Sequence, residues 1–246
     1  WDLKKCFLHK RKFSSSFEAS QELLQLLQDA IKLRLVSDVS LGAFLSGGLD
    51  SSSIVAGMCH SQPSETHQTF SMGFREESFS ELEMAKRVAR HLKVTHKDQM
   101  VLPNLVENLS EIAYFADEPF ADTSIIPMYY LAEFSRKHVT VCLSGDGADE
   151  ILGGYETYLA DKICRYTGFL STAQKDLILG LIQKFMPTTF NKVGFDYKVR
   201  KFFEGHSPDL DRAHASWRVI FSEPEKKALL CPEVFSGWSQ RDPQDN

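Results

Sequence analysis

The sequence predicts an α/β fold: a twisted parallel sheet with helices on both faces, followed by a helical extension. Two observations carry this. Between Leu41 and Leu143, short apolar runs alternate with stretches of helical periodicity, the order that gives right-handed crossovers and a parallel sheet. From Leu152 onward the periodicity is helical only. At 246 residues the chain can bury one large core, or one domain plus a smaller lobe.

The elements follow in order. The chain opens on Trp1-Asp2-Leu3, a basic stretch at Lys10-Arg11-Lys12 and three serines, Ser14 to Ser16, which together read as a solvated connector. From Phe17, apolar residues at Leu23, Leu26, Leu27, Ala30 and Ile31 mark an amphipathic helix. Leu41 to Leu45 is a buried strand, and Ser53 to Met58 continues as a helix. Thr69 to Phe74 is a strand ending in a loop. Leu82, Ala85, Ala89 and Leu92 define a helix from Ser80 to Leu92, and Val94 to Val101 is the next strand. Pro103 introduces a helix carrying Leu105, Leu109, Ile112, Ala113 and Ala116. Another runs from Ile125 to Lys137 and leads into a buried strand, His138 to Leu143. In the extension, Ser171-Thr172-Ala173-Gln174 is a capping box for a helix reaching about Met186 and stopped by Pro187. Tyr197 to Phe203 and Ala213 to Phe221 are shorter helices, and residues 238–246 are a polar, untethered end.

Composition narrows the function classes. Hydrophobic residues make up 43% and charged residues 25%, ordinary for a globular protein. A net charge of −5 gives no support for a nucleic-acid partner, which needs a basic face. The apolar runs fall far short of a bilayer span and no secretory pattern opens the chain, so a cytoplasmic protein without membrane association is expected. The cysteines, Cys6, Cys59, Cys142, Cys164 and Cys231, are odd in number and have no close pair of the zinc or redox kind. Cys59 and Cys142 read as small buried hydrophobes, and reducing surroundings fit.

Two glycine-rich loops carry the chemistry. The first, Ser46-Gly47-Gly48-Leu49-Asp50-Ser51-Ser52, leaves a strand and enters a helix. Its glycines let the backbone approach a ligand closely, and loop amides with a helix N-terminus converge on an anion while the serine hydroxyls add donors. No Lys follows the glycines, so this is not a Walker loop but a pyrophosphate cradle, in which Asp50 faces a metal or a positive group. The second loop follows the last strand: Ser144-Gly145-Asp146-Gly147-Ala148-Asp149-Glu150, then Gly153-Gly154-Tyr155. Its crowded carboxylates, Asp146, Asp149 and Glu150, require a cation or a cationic substrate to relieve their repulsion; a hydrated turn is the plain alternative. In Asp117-Glu118-Pro119-Phe120-Ala121-Asp122-Thr123-Ser124, Asp122 or Thr123 either caps the next helix or serves the site. In parallel sheets, ligands sit beyond the carboxyl ends of the strands, where both loops fall.

With these segments in this order and spacing, residues 17–155 resemble the asparagine synthetase family, in its ATP-pyrophosphatase synthetase domain, and the likeness continues more weakly to about Leu230. The first motif alone fits the wider pyrophosphatase superfamily. The second, with Asp117-Glu118-Pro119, points to asparagine synthetases and the related β-lactam synthetases. The resemblance implies an adenine-nucleotide alpha-hydrolase-like (PP-loop ATPase) sheet over residues 17–160. It implies a linker over 1–16 from a glutaminase domain, and a helical extension over 161–246 that is incomplete at its C-terminus. It further implies ATP and Mg²⁺, with aspartate or another carboxylate and ammonia as substrates, and admits a homodimer. The implied reaction is attack of the carboxylate on ATP to give an acyl-adenylate, pyrophosphate release, and displacement of AMP by ammonia.

Carried over by position, Ser46, Gly47, Gly48, Leu49, Asp50, Ser51 and Ser52 hold the pyrophosphate, and Phe44 and Met72 border the adenosine, Met72 equally being core filler. Ser144 and Gly145 contact the nucleotide; Asp146, Asp149, Glu150 and Tyr155 carry the chemistry; Asp50 and Asp149 face the metal. Three departures qualify this. Asp146 stands where Glu is frequent in the family, no glutaminase domain is present, and the chain stops before the segment with a phosphate-contacting basic residue. Lys198, Arg200 and Lys201 are cationic, but a solvated helix face is the simpler reading of them. The chain is therefore expected to be an excised central piece that binds ATP and is weak or inactive alone. The competing readings are an amide ligase for another carboxylate, of the cyclising β-lactam or sugar-acid type, and a non-catalytic nucleotide-binding module.

Overall fold

The computed structural model describes residues 2, 5, 8, 10–73, 81–102, 105–118, 120, 122–185, 194–207, 209–219, 221 and 223–232. The expectations for Cys6, Phe74, Ser80, Pro103, Met186, Pro187 and residues 238–246 lie outside these. Two compact units form, residues 1–146 and 147–246.

The first unit alternates helix and strand: α1 (Ser16–Arg34), β1 (Leu41–Phe44), α2 (Leu49–Ser61), β2 (Gln68–Gly73), α3 (Leu82–Leu92), β3 (Thr95–Met100), α4 (Leu105–Ala116), α5 (Ile125–Arg136) and β4 (Val141–Leu143). The four strands pair in the order β3-β2-β1-β4, every pair parallel. Ala43 registers with Thr69 on one side and Leu143 on the other, while Phe44 registers with Phe70. Alternation therefore sends Ala43 and Leu45 to one face, where they meet Ile31, Val55, Met58, Ala85 and Ala89 in the buried core. Phe70 points to the opposite face, stacked on His138 at 5.7 Å and meeting the edge of Phe134 at 6.0 Å. Helices thus cover both faces, as the alternating sequence requires.

Two boundaries differ from expectation. Helix α2 begins at Leu49, four residues before the apolar run that announces it, because Gly48 serves as its N-cap and the polar residues form its first turn. Strand β4 covers only Val141–Leu143, since His138 closes the turn after α5, its amide donating to the Ser135 carbonyl at 2.9 Å. In α1, the Ser15 hydroxyl accepts from the Glu18 amide at 3.1 Å, and the Glu18 carboxylate accepts from the Ser14 amide at 2.8 Å. Among the described residues, no helix is long and apolar enough to cross a membrane.

The second unit is helical: α6 (Ala148–Leu152), α7 (Glu156–Thr167), α8 (Thr172–Phe185), α9 (Phe195–Gly205), α10 (Leu210–Arg218) and α11 (Glu223–Leu229). The capping box of α8 is formed: the Gln174 amide donates to the Ser171 hydroxyl at 3.3 Å and the Gln174 side chain accepts from the Ser171 amide at 2.9 Å. Asp209 caps α10 by accepting from the Asp211 and Arg212 amides, which starts that helix before Ala213; Val219 is extended and ends it before Phe221. Helices α7, α9 and α10 meet through Trp217 stacked on Phe202 at 5.7 Å and a 2.9 Å hydrogen bond between the His214 Nδ1 and the Asp161 carboxylate.

Candidate functional site

Because β2 and β3 lie on one side of β1 and β4 on the other, the strand order reverses between β1 and β4. A crevice opens beyond the carboxyl ends of such a pair, and both glycine-rich loops begin there. The last ladder bond of β1 runs from the Leu45 amide to the Phe70 carbonyl, 2.9 Å. Beyond it the chain folds on itself. The Ser46 amide donates to the Ser51 hydroxyl (3.2 Å), the two hydroxyls lie 2.8 Å apart, and the Gly48 amide donates to the Ser46 hydroxyl (3.1 Å). Gly47 sits at φ +82°, where a side chain is strained; an added Cβ would stand 2.6 Å from the Ala85 amide nitrogen of α3.

No side chain caps α2, so the amides of Leu49, Asp50 and Ser51 are the first-turn donors a helix leaves without an intrahelical acceptor. They share the positive end of the helix dipole, which favours an anion. The Ser46 and Ser51 hydroxyls, expected as further anion donors, instead brace the turn; the Ser52 hydroxyl oxygen is buried and without a partner. Leu49 is 82% exposed at the rim.

The second loop closes on this turn. A Cβ at Gly145 would lie 2.7 Å from the Ser51 nitrogen and 2.9 Å from the Asp50 carbonyl carbon, so glycine alone lets the β4 loop seat against the start of α2. The Ser144 hydroxyl donates to the Asp146 carboxylate at 2.9 Å. Ser46 to Ser52, Ser144, Gly145 and Asp146 are thereby gathered at one end of the sheet. Phe44 lines a cavity of about 600 Å³ with Ile112, Phe115, Tyr129 and Cys142 on the α4–α5 face, and Met72 is half-buried near the end of β2 without lining it. Asp122 accepts from the Ser124 amide at 2.8 Å, which supports its turn role ahead of α5. Cys59 and Cys142, expected as buried, are only half-buried, Cys142 lining the cavity beside Phe44, and the burial they do have pushes both thiols up.

Asp149, Glu150 and Tyr155 belong to the second unit. The Tyr155 hydroxyl donates to Glu150 at 2.7 Å; this bond pushes the phenol up to about 12 and holds the Glu150 carboxyl below its usual range. A side chain at Gly154 would overlap the Asp149 carboxylate. The Arg218 guanidinium lies 5.1 Å above the Tyr155 ring. Nothing in the local sequence flags Arg218, because α10 brings it in by packing. The cations singled out by sequence are engaged inside the unit rather than simply solvated: Lys198 pairs with Glu156 at 2.5 Å, Lys201 donates to the Val219 carbonyl at 2.9 Å, and Arg200 also has a partner. Among the described residues, no three His, Cys, Asp or Glu groups converge on a metal position.

Comparison with known proteins bears on this arrangement. The family model described as asparagine synthase matches residues 22–217. Asparagine synthetase [glutamine-hydrolyzing] 1 of Bacillus subtilis is 42% identical over 139 residues, covering 56% of this chain and 22% of the relative. A putative asparagine synthetase [glutamine-hydrolyzing] 2 of Methanocaldococcus jannaschii is 35% identical over 227 residues, covering 89% and 41%. The chain therefore spans well under half the length of these curated relatives. A solved NH3-dependent NAD synthetase from Campylobacter jejuni aligns over 92% of this chain and 93% of its own, at 18% identity and a TM-score of 0.38.

Proposed function

The chain belongs to the asparagine synthase family, and from that premise we propose that it forms an amide bond with ATP through an acyl-adenylate, aspartate being the acceptor. The aspartate side-chain carboxylate attacks the α-phosphorus of ATP, the bond to the pyrophosphate oxygen breaks, and pyrophosphate leaves. Ammonia then adds to the acyl carbon, AMP departs with the bonding pair, and asparagine results. Positioning and charge neutralisation are what the protein must supply.

One observation carries the reading: the close seating of Gly145 on Asp50 and Ser51, which gathers two loops at the reversal point of the sheet. In the proposed complex, the amides of Leu49, Asp50 and Ser51 hold the pyrophosphate and the Ser52 hydroxyl is a spare donor. Ser144 and Gly145 contact the nucleotide, and Phe44 and Met72 border the adenosine. Asp146, held by Ser144, acts near the reacting carboxylate and the incoming ammonia; Asp149, Glu150 and Tyr155 are assigned to the reaction by the sequence resemblance alone. Mg²⁺ would neutralise the phosphates. It favours one or two carboxylates plus phosphate oxygens as ligands, and the sequence resemblance assigns that role to Asp50 and to Asp149. A glutaminase domain is the proposed source of ammonia.

Calorimetric titration with Mg-ATP tests the cradle: binding at submillimolar nucleotide is expected, and none at millimolar nucleotide would refute it. With aspartate, ammonia and ATP, AMP and asparagine are the expected products, at a low rate for this chain alone; ADP as product would overturn the adenylation route.

A further inference from the structure

We propose that a cleft between α3 and β3 binds a small phosphomonoester, with the phosphate group seated among Arg90, Lys93 and His96. The cleft measures about 450 Å³ and is lined by Glu83, Lys86, Arg90 and Lys93 on one side and by His96 and Asp98 on the other. Spacings of three, four and three residues set the first four along one stripe of α3 and its C-cap. Alternation turns His96 and Asp98 to the same face of β3. His96 stands near the start of that parallel strand, toward the sheet end opposite the glycine-rich loops.

The buried His96 Nε2 has no hydrogen-bond partner among the described residues. On the other side of the ring, Nδ1 lies 3.0 Å from the Thr69 hydroxyl, whose alternative acceptor, the Thr95 carbonyl, is 3.4 Å away. The shorter contact makes Nδ1 the acceptor. Burial lowers the His96 pKa, Asp98 raising and Lys86 lowering it in smaller measure, so the ring is neutral at neutral pH. Nε2 therefore carries a hydrogen that lacks an acceptor. The charges beside it favour an anion. Lys86 is bonded to Asp98 at 2.9 Å, whereas Arg90 gives only its Nε to the Lys86 carbonyl, at 3.3 Å, and keeps its terminal donors. Lys93 holds a left-handed backbone at φ +57°, a helix-ending conformation that suits glycine better than lysine. The negative end of the α3 dipole offsets roughly half a charge, which leaves Arg90 and Lys93 a positive excess. Glu83 lies about 10 Å back along the helix axis from Arg90, too far to cancel it. That end of the cleft, with Glu83 and Asp98, offers acceptors to hydroxyl groups. A lone phosphate would leave it unfilled, and a hydroxylated ester spans both ends.

Amide NMR of the whole chain, titrated with glycerol 3-phosphate against sodium chloride of equal ionic strength, tests this. Saturable shifts over residues 90–98 are expected in the low millimolar range, with inorganic phosphate binding several-fold more weakly. Arg90→Gln should weaken binding about fivefold. Lys93→Gly separates a binding role from a structural one: its urea midpoint should hold or rise, because glycine suits the left-handed backbone, while affinity falls by a similar factor. Gly145→Ala, which breaks the proposed ATP cradle, should leave these shifts unchanged, so the two sites can fail independently. Equal shifts with chloride, no saturation up to tens of millimolar, full affinity in Lys93→Gly, or loss of the shifts in Gly145→Ala each overturns the site. Inorganic phosphate bound as tightly as the ester overturns the ester as its occupant.

Discussion

The two units solve the problem of burial in different ways. Residues 1–146 bury large apolar side chains, with Phe70, Leu45, Met58 and Val55 shielded completely or nearly so around a parallel sheet. In residues 147–246, among the described residues, the buried hydrophobics are Cys164 and Ala213, both small, and they share the interior with Asp196 and His206. A sheet fixes its loops through a ladder and a packed core. A helical assembly with polar interior groups depends on every pair being made, and loses order when one is lost. The turn from Ser46 to Ser52 is built on the first kind of ground and the Glu150–Tyr155 pair on the second. The first should therefore fail only by steric insult, the second by changes of charge or pH.

The largest effect should come from the sheet core. Phe70→Ala is expected to cost about 3–5 kcal/mol, read by urea unfolding, because a fully shielded ring leaves a cavity between β2 and α5. Cys164→Ala, which removes one sulfur from the second unit, should cost far less; equal losses would erase the contrast between the units.

Next comes a steric break of the cradle alone. Gly145→Ala places a methyl against the start of α2 and should abolish Mg-ATP binding in calorimetry while costing about 1–3 kcal/mol of stability. Retained affinity would show that the two loops need not touch.

A smaller effect separates the units by pH. Burial, then the Lys175 cation, lowers the His206 pKa. With a folded pKa below the unfolded value of about 6.5, the neutral form is favoured in the fold, so stability is intact above that pH and is lost as pH falls through it toward the folded pKa. Amide exchange in α9 and α10 should accelerate between neutral and mildly acidic pH, and His206→Gln should flatten that response. The smallest effect is spectroscopic: Glu150→Gln should return the Tyr155 titration from about 12 toward the ordinary tyrosine range in alkaline absorbance.

The sheet was legible in the sequence because alternation of short apolar runs and 3.6-residue periodicity is a property of whole segments. The strands at Ala43, Phe70 and Cys142 and their crossover helices need no tertiary information to be seen. Boundaries were less so. Gly48 reads as loop, yet it caps a helix that already holds Leu49 to Ser52, and His138 looks apolar in context but belongs to a turn and stacks on Phe70. The paired loops were recognisable as chemistry, but not that the Ser46 and Ser51 hydroxyls satisfy each other. Arg218 over Tyr155 was invisible, since packing of α10 on α7 brings them together.

The placement of β4 beside β1 has a consequence for the order of folding. The chain must carry β2 and β3 through their crossovers before the strand that brings the second glycine-rich loop beside the first is made. A ribosome-bound chain ending before Ser144 would hold half a cradle, with one flank of β1 unpaired and open to other strands. Closure of that long loop, rather than formation of any helix, is the slow and aggregation-exposed step to expect in its biogenesis.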